Sequence, residues 1–243
     1  AFVAAGAGLL VVKHGNRSVT SRCGSADVLS ALGARLEIPP EAMAGVLRAT
    51  GIAFLHAPLY HPAMRRVAAI RQELGLRTIF NLLGPLTNPA GARIQLVGVY
   101  RPDALATIAG VLRLLGAERA LVVHGGGLDE ITPTGPTRVA ELTAGGVREY
   151  TIDPVNYGIP ISDIADLRGG DAWENARILT EVLSGEHGAA RDAVLLNAGA
   201  AIFLGDPARS LAGGVSLAEE SIDSGAALAK LGAFIQGTIG ARA

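Results

Sequence analysis

The chain has 243 residues, of which 49% are hydrophobic and 18% are charged, and its 21 Lys and Arg residues nearly balance 22 Asp and Glu residues. This composition is typical of a globular protein with a sizeable core. The near-zero net charge argues against a nucleic-acid partner, which would normally require a basic excess. It still allows a local basic pocket for a small phosphorylated ligand.

A single cysteine, Cys23, excludes an internal disulfide and a cysteine-based zinc site. We interpret it as a small side chain in a reduced, cytoplasmic protein, with a catalytic thiol as the alternative. The apolar stretch at 1–12 is too short to span a bilayer and has no positive residues ahead of it. We therefore predict neither a membrane partner nor a secretory signal.

Short apolar runs alternate with helical patterns through the first half of the chain. The stretch at 1–12 is typical of a helix that turns into a strand, and we expect the chain to start inside a domain. Three runs rich in Val, Ile and Leu predict buried strands, at 9–12, 94–100 and 120–124. Helices are predicted at 25–32, 40–50 and 62–74.

The stretch at 102–115 lies between two of these strands and predicts a helix. Pro102 suits its first turn and Gly116 suits its end. Apolar residues recur there at helical spacing, namely Leu105, Ile108, Ala109, Leu112 and Leu115. Strand, helix and strand in so few residues form a βαβ unit, which implies a parallel sheet.

The second half of the chain begins with a predicted hairpin and continues as helices. Runs at 137–142 and 147–152 flank Ala144-Gly145-Gly146, and they add an antiparallel portion to the sheet. Helical patterns follow, separated by Gly185, Gly205 and the Gly213-Gly214 pair, at 173–183, 189–204 and 217–235.

A breaker-rich stretch at 81–89 is too apolar for a solvated linker. We interpret it as a packed, ordered connection that could serve as a hinge between two lobes.

Polar groups are concentrated in the loop that follows the first predicted strand. Lys13 and Arg17 occur there with several hydroxyls, those of Ser18, Thr20, Ser21 and Ser25. Ligands collect at the carboxyl ends of parallel strands, where loops and helix N-termini present backbone N–H groups. The loop therefore predicts a phosphate site, with an ordinary solvated basic loop as the alternative.

Adjacent acids, Asp129 and Glu130, follow the third predicted strand in a glycine-flanked loop. Hard carboxylate oxygens suit Mg²⁺, while an ordinary acidic turn is the alternative. The glycines at 125–127 are compatible with a phosphate-cradling turn and equally with a tight bend. His124 has no second histidine at ligand spacing, so we interpret it as structural.

Five blocks of sequence, in a fixed order, span about half of the chain. They lie at 13–17 (Lys-His-Gly-Asn-Arg) with 24–29, at 61–64 with Arg71, at 81–89, at 124–125 with 127–131, and at 135–137. In this combination they resemble the anthranilate phosphoribosyltransferases. That resemblance implies an enzyme, a pentosyl-transferring glycosyltransferase of tryptophan biosynthesis.

The resemblance implies roles for the residues that match the family's motifs. Lys13, Asn16 and Ser25 would contact phosphoribosyl pyrophosphate, with Arg17 near them as added positive charge. Asp129 and Glu130 would bind the Mg²⁺ that accompanies the pyrophosphate.

The second substrate, anthranilate, has its own implied residues. His14 and Asn16 would line its path, and Arg71 would hold its carboxylate, because a planar guanidinium can donate two hydrogen bonds to a carboxylate. For Arg71 the alternative is a solvated residue on the predicted helix at 62–74.

The implied reaction displaces pyrophosphate from the anomeric carbon of the ribose by the anthranilate amine. An arylamine is a neutral nucleophile at pH 7, so no catalytic acid or base is assigned. Catalysis would come from positioning and from stabilisation of the departing negative charge.

The resemblance also implies a fold: α/β, with a central mostly parallel sheet flanked by helices and a smaller helical lobe only partly present. Residues 36–80 would contribute helices and the hinge to that lobe. The family's upstream Gly-Thr-Gly-Gly-Asp and Asn-x-Ser-Thr motifs do not occur here, so we expect its N-terminal helical domain to be absent. The family is typically homodimeric.

Two alternatives stay open. One is a pyrimidine nucleoside phosphorylase, which has a related fold. The other is a non-enzymatic, nucleic-acid-binding relative, against which the near-zero net charge and the presence of Arg71, Asp129 and Glu130 argue.

Overall fold

The computed structural model describes residues 1–18, 22–62, 73 and 80–241. Helices and strands alternate in its first part, which comprises α1 (Phe2–Gly6), β1 (Val11–Gly15), α2 (Ser25–Ala31), α3 (Pro40–Thr50), β2 (Ile52–His56) and α4 (Ala57–Tyr60). The predicted helix at 62–74 falls almost entirely outside the described residues.

The second part runs from α5 to α10. Its elements are α5 (Phe80–Leu86), β3 (Ile94–Gly98), a 3₁₀ turn (Pro102–Ala104), α6 (Leu105–Leu114), β4 (Arg119–Gly125), β5 (Thr137–Thr143), β6 (Gly146–Ile152), two 3₁₀ turns (Pro154–Tyr157 and Ile164–Leu167), α7 (Ala172–Leu183), α8 (Ala189–Gly205), α9 (Leu211–Asp223) and α10 (Ala226–Gly240).

The strands form a two-stranded parallel sheet and a four-stranded mixed sheet. β1 pairs with β2, with Val11 opposite Ile52. The second sheet has the order β3-β4-β5-β6, in which β3 and β4 are parallel and the other two pairs are antiparallel. The predicted α/β architecture, its βαβ unit and its hairpin are confirmed.

The first strand is displaced from its predicted position at 9–12. It starts at Val11 and continues through Lys13 and His14 to Gly15, whereas Leu10 precedes it with 76% of its surface exposed. Parallel pairing with β2 along all five residues decides the boundary. The two polar residues therefore belong to the strand itself, which fixes their backbone.

The partner strand β2 is an element that the sequence pattern did not predict. All five of its residues are buried. Its first four residues form a continuous apolar run, which is compatible with a buried strand or with part of a buried helix, so periodicity alone does not identify it.

Two apolar cores lie on the two faces of the four-stranded sheet. One face of β4, with Leu121 and Val123, belongs to the larger core, which includes α1, α3, α8, α9 and α10. The other face packs against α6. Four of the five residues predicted for the apolar face of α6 are buried, but Leu115 is 62% exposed because the helix ends at Leu114.

The predicted helix at 217–235 is in fact two helices, α9 and α10. The helix is interrupted at Ser224-Gly225, where Gly225 has a φ of 77°, a conformation that favours glycine. The Gly213-Gly214 pair, predicted to separate helices, lies inside α9 instead.

The predicted connection at 81–89 is helical in its first part, because α5 extends to Leu86. An Asn88 side-chain oxygen then accepts a hydrogen bond from the Ala90 amide at 3.0 Å, which orders the following turn. In the described part of the chain, every helix is too short or too polar to cross a membrane.

The contact between α8 and α9 depends on two glycines. A methyl group on Gly214 would lie 2.2 Å from the carbonyl oxygen of Gly199 and 3.2 Å from the Phe203 amide nitrogen. The backbones of the two helices can approach this closely only without side chains at these positions.

We predict that Gly214→Ala destabilises the protein by about 1–3 kcal/mol, because the added methyl forces the two helices apart. Urea denaturation measures this as a lower midpoint. Gly232→Ala in α10 is the matched control, since an added methyl there meets nothing within 4 Å. The control should be neutral or stabilising by up to about 1 kcal/mol; equal losses in both variants would contradict the packing argument.

Candidate active site

Three strands end in a glycine that has no room for a side chain. They are β1 at Gly15, β3 at Gly98 and β4 at Gly125. A methyl group on these glycines would lie 2.7 Å from the Ser25 hydroxyl, 1.5 Å from the Asp129 carbonyl oxygen and 2.6 Å from the Thr137 hydroxyl, respectively. Neighbouring loops and side chains therefore pack directly against the backbone of these strand ends.

The glycines at 125–127 form a tight turn that carries the acidic pair. Gly126 and Gly127 have φ values of 56° and 92°. The amide of Gly125 donates to the Leu128 carbonyl at 3.0 Å, and the Leu128 amide donates back at 2.9 Å. Of the two interpretations offered by the sequence, the structure supports the tight bend. The turn places Asp129 over the end of β3.

Lys13 lies within electrostatic range of both acids. Burial lowers the pKa of the Lys13 ammonium, while the charges of Glu130 and then Asp129 raise it. Burial also raises the pKa of Glu130, as does the Asp129 charge, and Lys13 acts in the opposite direction. All three residues nevertheless keep exposed surface. Water reaches these groups, and the opposite charges of Lys13 and Glu130 each favour the charged form of the other.

The acidic pair suits a hard divalent cation. Two adjacent carboxylates repel each other, and this repulsion contributes to the raised pKa of Glu130. Within the described ranges no cluster of three or more His, Cys, Asp or Glu side chains could hold a metal alone. Mg²⁺ commonly uses one or two carboxylates together with waters and substrate phosphates. Asp129 and Glu130 therefore fit a Mg²⁺ that is held jointly with a phosphorylated ligand.

The loop after β1 folds back onto the first turn of α2. The Ala26 amide donates to the Asn16 carbonyl at 3.3 Å, and Arg17 donates to the Asp27 carboxylate at 3.2 Å. Ser25 is the first residue of α2, and its hydroxyl lies over the end of β1. Loop and helix therefore bring Asn16, Arg17 and Ser25 together at the end of β1, while Thr20 and Ser21 lie outside the described residues.

His14 contacts a second histidine, His61, which follows α4. Their Nε2 atoms are 3.2 Å apart and their ring planes meet at 66°. One ring donates and the other accepts, so at least one of them is neutral while the contact lasts. Burial lowers the pKa of His14 most, followed by His61; a hydrogen bond with the Gly84 backbone raises it, and Lys13 lowers it again.

The structure brings together most of the predicted site residues. Lys13 and His14 lie on β1, and Asn16 and Arg17 lie in the loop after it. Asp129 and Glu130 approach Lys13 from the loop after β4. Arg71 lies outside the described residues. The structural interpretation of His124 is supported, because its Nδ1 lies 2.8 Å from the Val99 carbonyl oxygen.

Two residues of the site were present in the sequence blocks but had no predicted role. Asp27 stands at the third position of α2, where an acid can accept the amide of the N-cap residue, and this spacing was a usable signal. His61 contacts a residue 47 positions away, and no local pattern indicates such a contact.

Comparison with known proteins places the chain in a family. A family model described as "Glycosyl transferase family, a/b domain" matches residues 1–228. The anthranilate phosphoribosyltransferase of Moorella thermoacetica is 56% identical over 236 residues, which cover 97% of this chain and 70% of that protein. The chain belongs to the anthranilate phosphoribosyltransferase family. The Rubrobacter xylanophilus member is 58% identical over 238 residues, with the same two shares.

Solved structures of anthranilate phosphoribosyltransferases share this fold. The Thermus thermophilus enzyme superimposes with a TM-score of 0.91 at 46% identity, covering 98% of this chain and 71% of that one. The Saccharomyces cerevisiae enzyme in complex with PRPP and Mg gives 0.87 at 30% identity, covering 98% and 68%. The resemblance inferred from the five blocks is confirmed.

We predict that His14 titrates below its ordinary value of 6.5, and that His61→Gln moves its pKa upward. The substitution removes the electrostatic influence of His61, which lowers the pKa of His14, while burial and Lys13 still lower that pKa. Two-dimensional NMR of the imidazole resonances against pH measures both values.

His187→Gln is the control, because His187 is an exposed residue between α7 and α8. It should leave the pKa of His14 unchanged. A wild-type His14 pKa above 6.5 would contradict the geometry of the pair.

Proposed function

We propose that this protein transfers the phosphoribosyl group of phosphoribosyl pyrophosphate to anthranilate, giving phosphoribosylanthranilate and pyrophosphate in tryptophan biosynthesis. The observation that carries the proposal is the meeting of Lys13 with Asp129 and Glu130 at one edge of the strands, in a chain of this family. A cation and a pair of hard acids at one point suit a polyphosphate that arrives with a divalent metal.

The phosphoribosyl pyrophosphate would be held by the loop after β1. Lys13 and Arg17 supply positive charge, and Asn16 and Ser25 supply polar hydrogen-bonding groups. The guanidinium of Arg17 is about half exposed, so it can add a ligand contact to its existing contact with Asp27. Charge-assisted hydrogen bonds of this kind are roughly twice as strong as neutral ones.

Asp129 and Glu130 would hold the Mg²⁺ that accompanies this substrate. When bound, the ion would offset the negative charge that develops on the leaving pyrophosphate. The solved yeast complex with PRPP and Mg supports this proposal by relationship. Lys13 would stabilise the same charge as a fixed cation, and it needs no proton transfer to do so.

Anthranilate would approach past His14 and Asn16, with Arg71 holding its carboxylate. A yeast relative has been solved with 4-fluoroanthranilate, which supports an aromatic acceptor of this size. The contact between His14 and His61 fixes the orientation of one wall of that path. The roles of all three residues toward anthranilate come from their match to the family motif.

The reaction exchanges one bond at the anomeric carbon. The amine nitrogen forms the new C–N bond with its lone pair, and the C–O bond to pyrophosphate breaks with its electron pair staying on the pyrophosphate. The amine proton that is lost passes to water. Positioning two substrates for an effectively unimolecular encounter can lower the barrier by about 7–11 kcal/mol.

We also propose the family's homodimer and the cytosol as the setting of this enzyme. The single cysteine suits a reducing compartment. The small helical lobe at 36–80 stays a proposal as well. Light scattering of the purified protein decides the oligomeric state.

The experiment that tests the function follows anthranilate fluorescence after phosphoribosyl pyrophosphate and Mg²⁺ are added to the full-length gene product. We expect a loss of signal that requires both additions and stops when EDTA removes the metal. A folded protein that causes no loss would overturn the substrate assignment. Phosphorolysis of thymidine and salt-sensitive DNA binding are then the assays for the two alternatives.

Two substitutions separate the two substrates. Lys13→Ala should raise the KM for phosphoribosyl pyrophosphate by about tenfold to a hundredfold, because a hydrogen bond to a charged group contributes about 1.5–3 kcal/mol. Arg71→Ala should mainly raise the KM for anthranilate. Steady-state kinetics with each substrate varied in turn measures both effects.

The matched control is Arg177→Ala, which removes an exposed cation whose carboxylate contact is Glu181, one turn away on α7. Both KM values should stay within about twofold of wild type, as is usual for an exposed pair of this kind. Small and equal effects from Lys13→Ala and Arg71→Ala would refute the role assignments.

A further inference from the structure

The carboxylate of Asp27 joins both ends of the loop that follows β1. One of its oxygens accepts hydrogen bonds from the Ser18 amide at 3.0 Å and from the Gly24 amide at 2.9 Å. Its other oxygen accepts a hydrogen bond from the Arg17 guanidinium at 3.2 Å. A single side chain therefore holds the start of the loop, its end and one of its cations.

The loop backbone lies directly against the start of α2. A methyl group on Gly24 would lie 2.5 Å from the Ser18 amide nitrogen and 2.9 Å from the Asn16 carbonyl oxygen. At this separation a shift of the backbone at 16–18 would displace Gly24, and a shift of Gly24 would displace that backbone. The Asp27 carboxylate spans this contact, so it sets where Asn16 and Arg17 stand relative to α2.

A carboxylate beside a polyanion site weakens the binding of the polyanion unless other groups compensate the negative charge. Here the charge of Asp27 is compensated by the two amides and the guanidinium. Hydrogen bonds from Ser18, and then from Gly24 and Arg17, lower the pKa of Asp27 although burial opposes them. Asp27 thus stays ionised at neutral pH. It accepts hydrogen bonds from the Ser18 and Gly24 amides, while the Arg17 side chain remains 51% exposed.

We propose that Asp27 is a positioning residue for phosphoribosyl pyrophosphate, which acts by fixing the backbone at 16–18 and the direction of the Arg17 guanidinium. This inference rests on the proposed function and adds a residue that does not itself touch the substrate. The competing explanation is that Asp27 only caps α2, in the manner of half a capping box. The two explanations differ in what they predict for substrate binding.

Asp27→Asn and Asp27→Ala separate the two contributions. The asparagine side chain keeps one oxygen for the Ser18 and Gly24 amides but loses the ion pair with Arg17, so the KM for phosphoribosyl pyrophosphate should rise by about three- to tenfold. The alanine loses both interactions and should raise this KM by more than about tenfold. In both variants the rise should exceed any rise in the KM for anthranilate.

Asp171→Ala is the matched control. Asp171 also accepts two backbone amides at a helix start, those of Trp173 and Glu174 in α7. Its removal tests the general cost of losing a cap. The control should lower thermal stability as the Asp27 variants do, yet leave the KM for phosphoribosyl pyrophosphate within about twofold of wild type.

A double-mutant cycle with Arg17→Ala tests the route of the effect. If Asp27 acts partly through Arg17, Asp27→Asn should add little to the KM of the Arg17→Ala variant, because contacting residues that work together are non-additive. Full additivity would contradict this route, and a purely structural role would not produce the coupling.

Wild-type turnover is measured first and tests the proposed function by itself. With an active wild type, an unchanged KM for phosphoribosyl pyrophosphate in folded Asp27→Ala and Asp27→Asn would overturn the positioning role and leave the function intact. A raised KM in both variants, unchanged in the Asp171 control, would establish it.

Discussion

The site depends on three strands that end in glycine, because only glycine leaves neighbouring groups the space to pack against the strand ends. Gly15, Gly98 and Gly125 each end a strand, and an added methyl on any of them would collide with a neighbouring loop or side chain at 2.7 Å or less. The loops can therefore descend onto the sheet edge and not pass above it. This descent brings Asp129 and Glu130 within electrostatic range of the lysine on β1. At Gly15 an added methyl would also meet the buried ring of Phe54 at 2.7 Å, so this strand end is packed against the core as well.

The charges of the site are nearly balanced before any substrate binds. Lys13 faces Asp129 and Glu130, and Arg17 contacts Asp27. A polyanion must therefore compete with the protein's own carboxylates for these cations. A divalent metal bound by the acidic pair would change that competition, because it would convert two repelling acids into part of the binding surface. The balance also explains how a chain with a net charge of −1 can offer a phosphate site.

Local patterns predicted the segments in which strand, helix and strand alternate, because period and breakers agree there. They failed where tertiary pairing decides. The run at 52–55 is apolar throughout, so only its pairing with β1 identifies it as a strand. Lys13 and His14 look like loop residues until that pairing places them in β1. The interruption at Gly225 was missed because apolar residues recur at the same helical spacing in α9 and in α10. For the site, the motif blocks indicated the loop residues, but the contact with His61 depends on the folded chain alone.

β4, the strand that precedes the loop with the two acids, contributes to both apolar cores. Leu121 and Val123 face one core and Ala120 and Val122 face the other, each with at most 1% of its surface exposed. β4 also has a hydrogen-bonded neighbour on each side, whereas β1 pairs only with β2 among the described residues. Resistance to local opening follows such pairing and burial. Local opening should therefore reach the strand of Lys13 before it reaches the strand from which the acidic loop leaves.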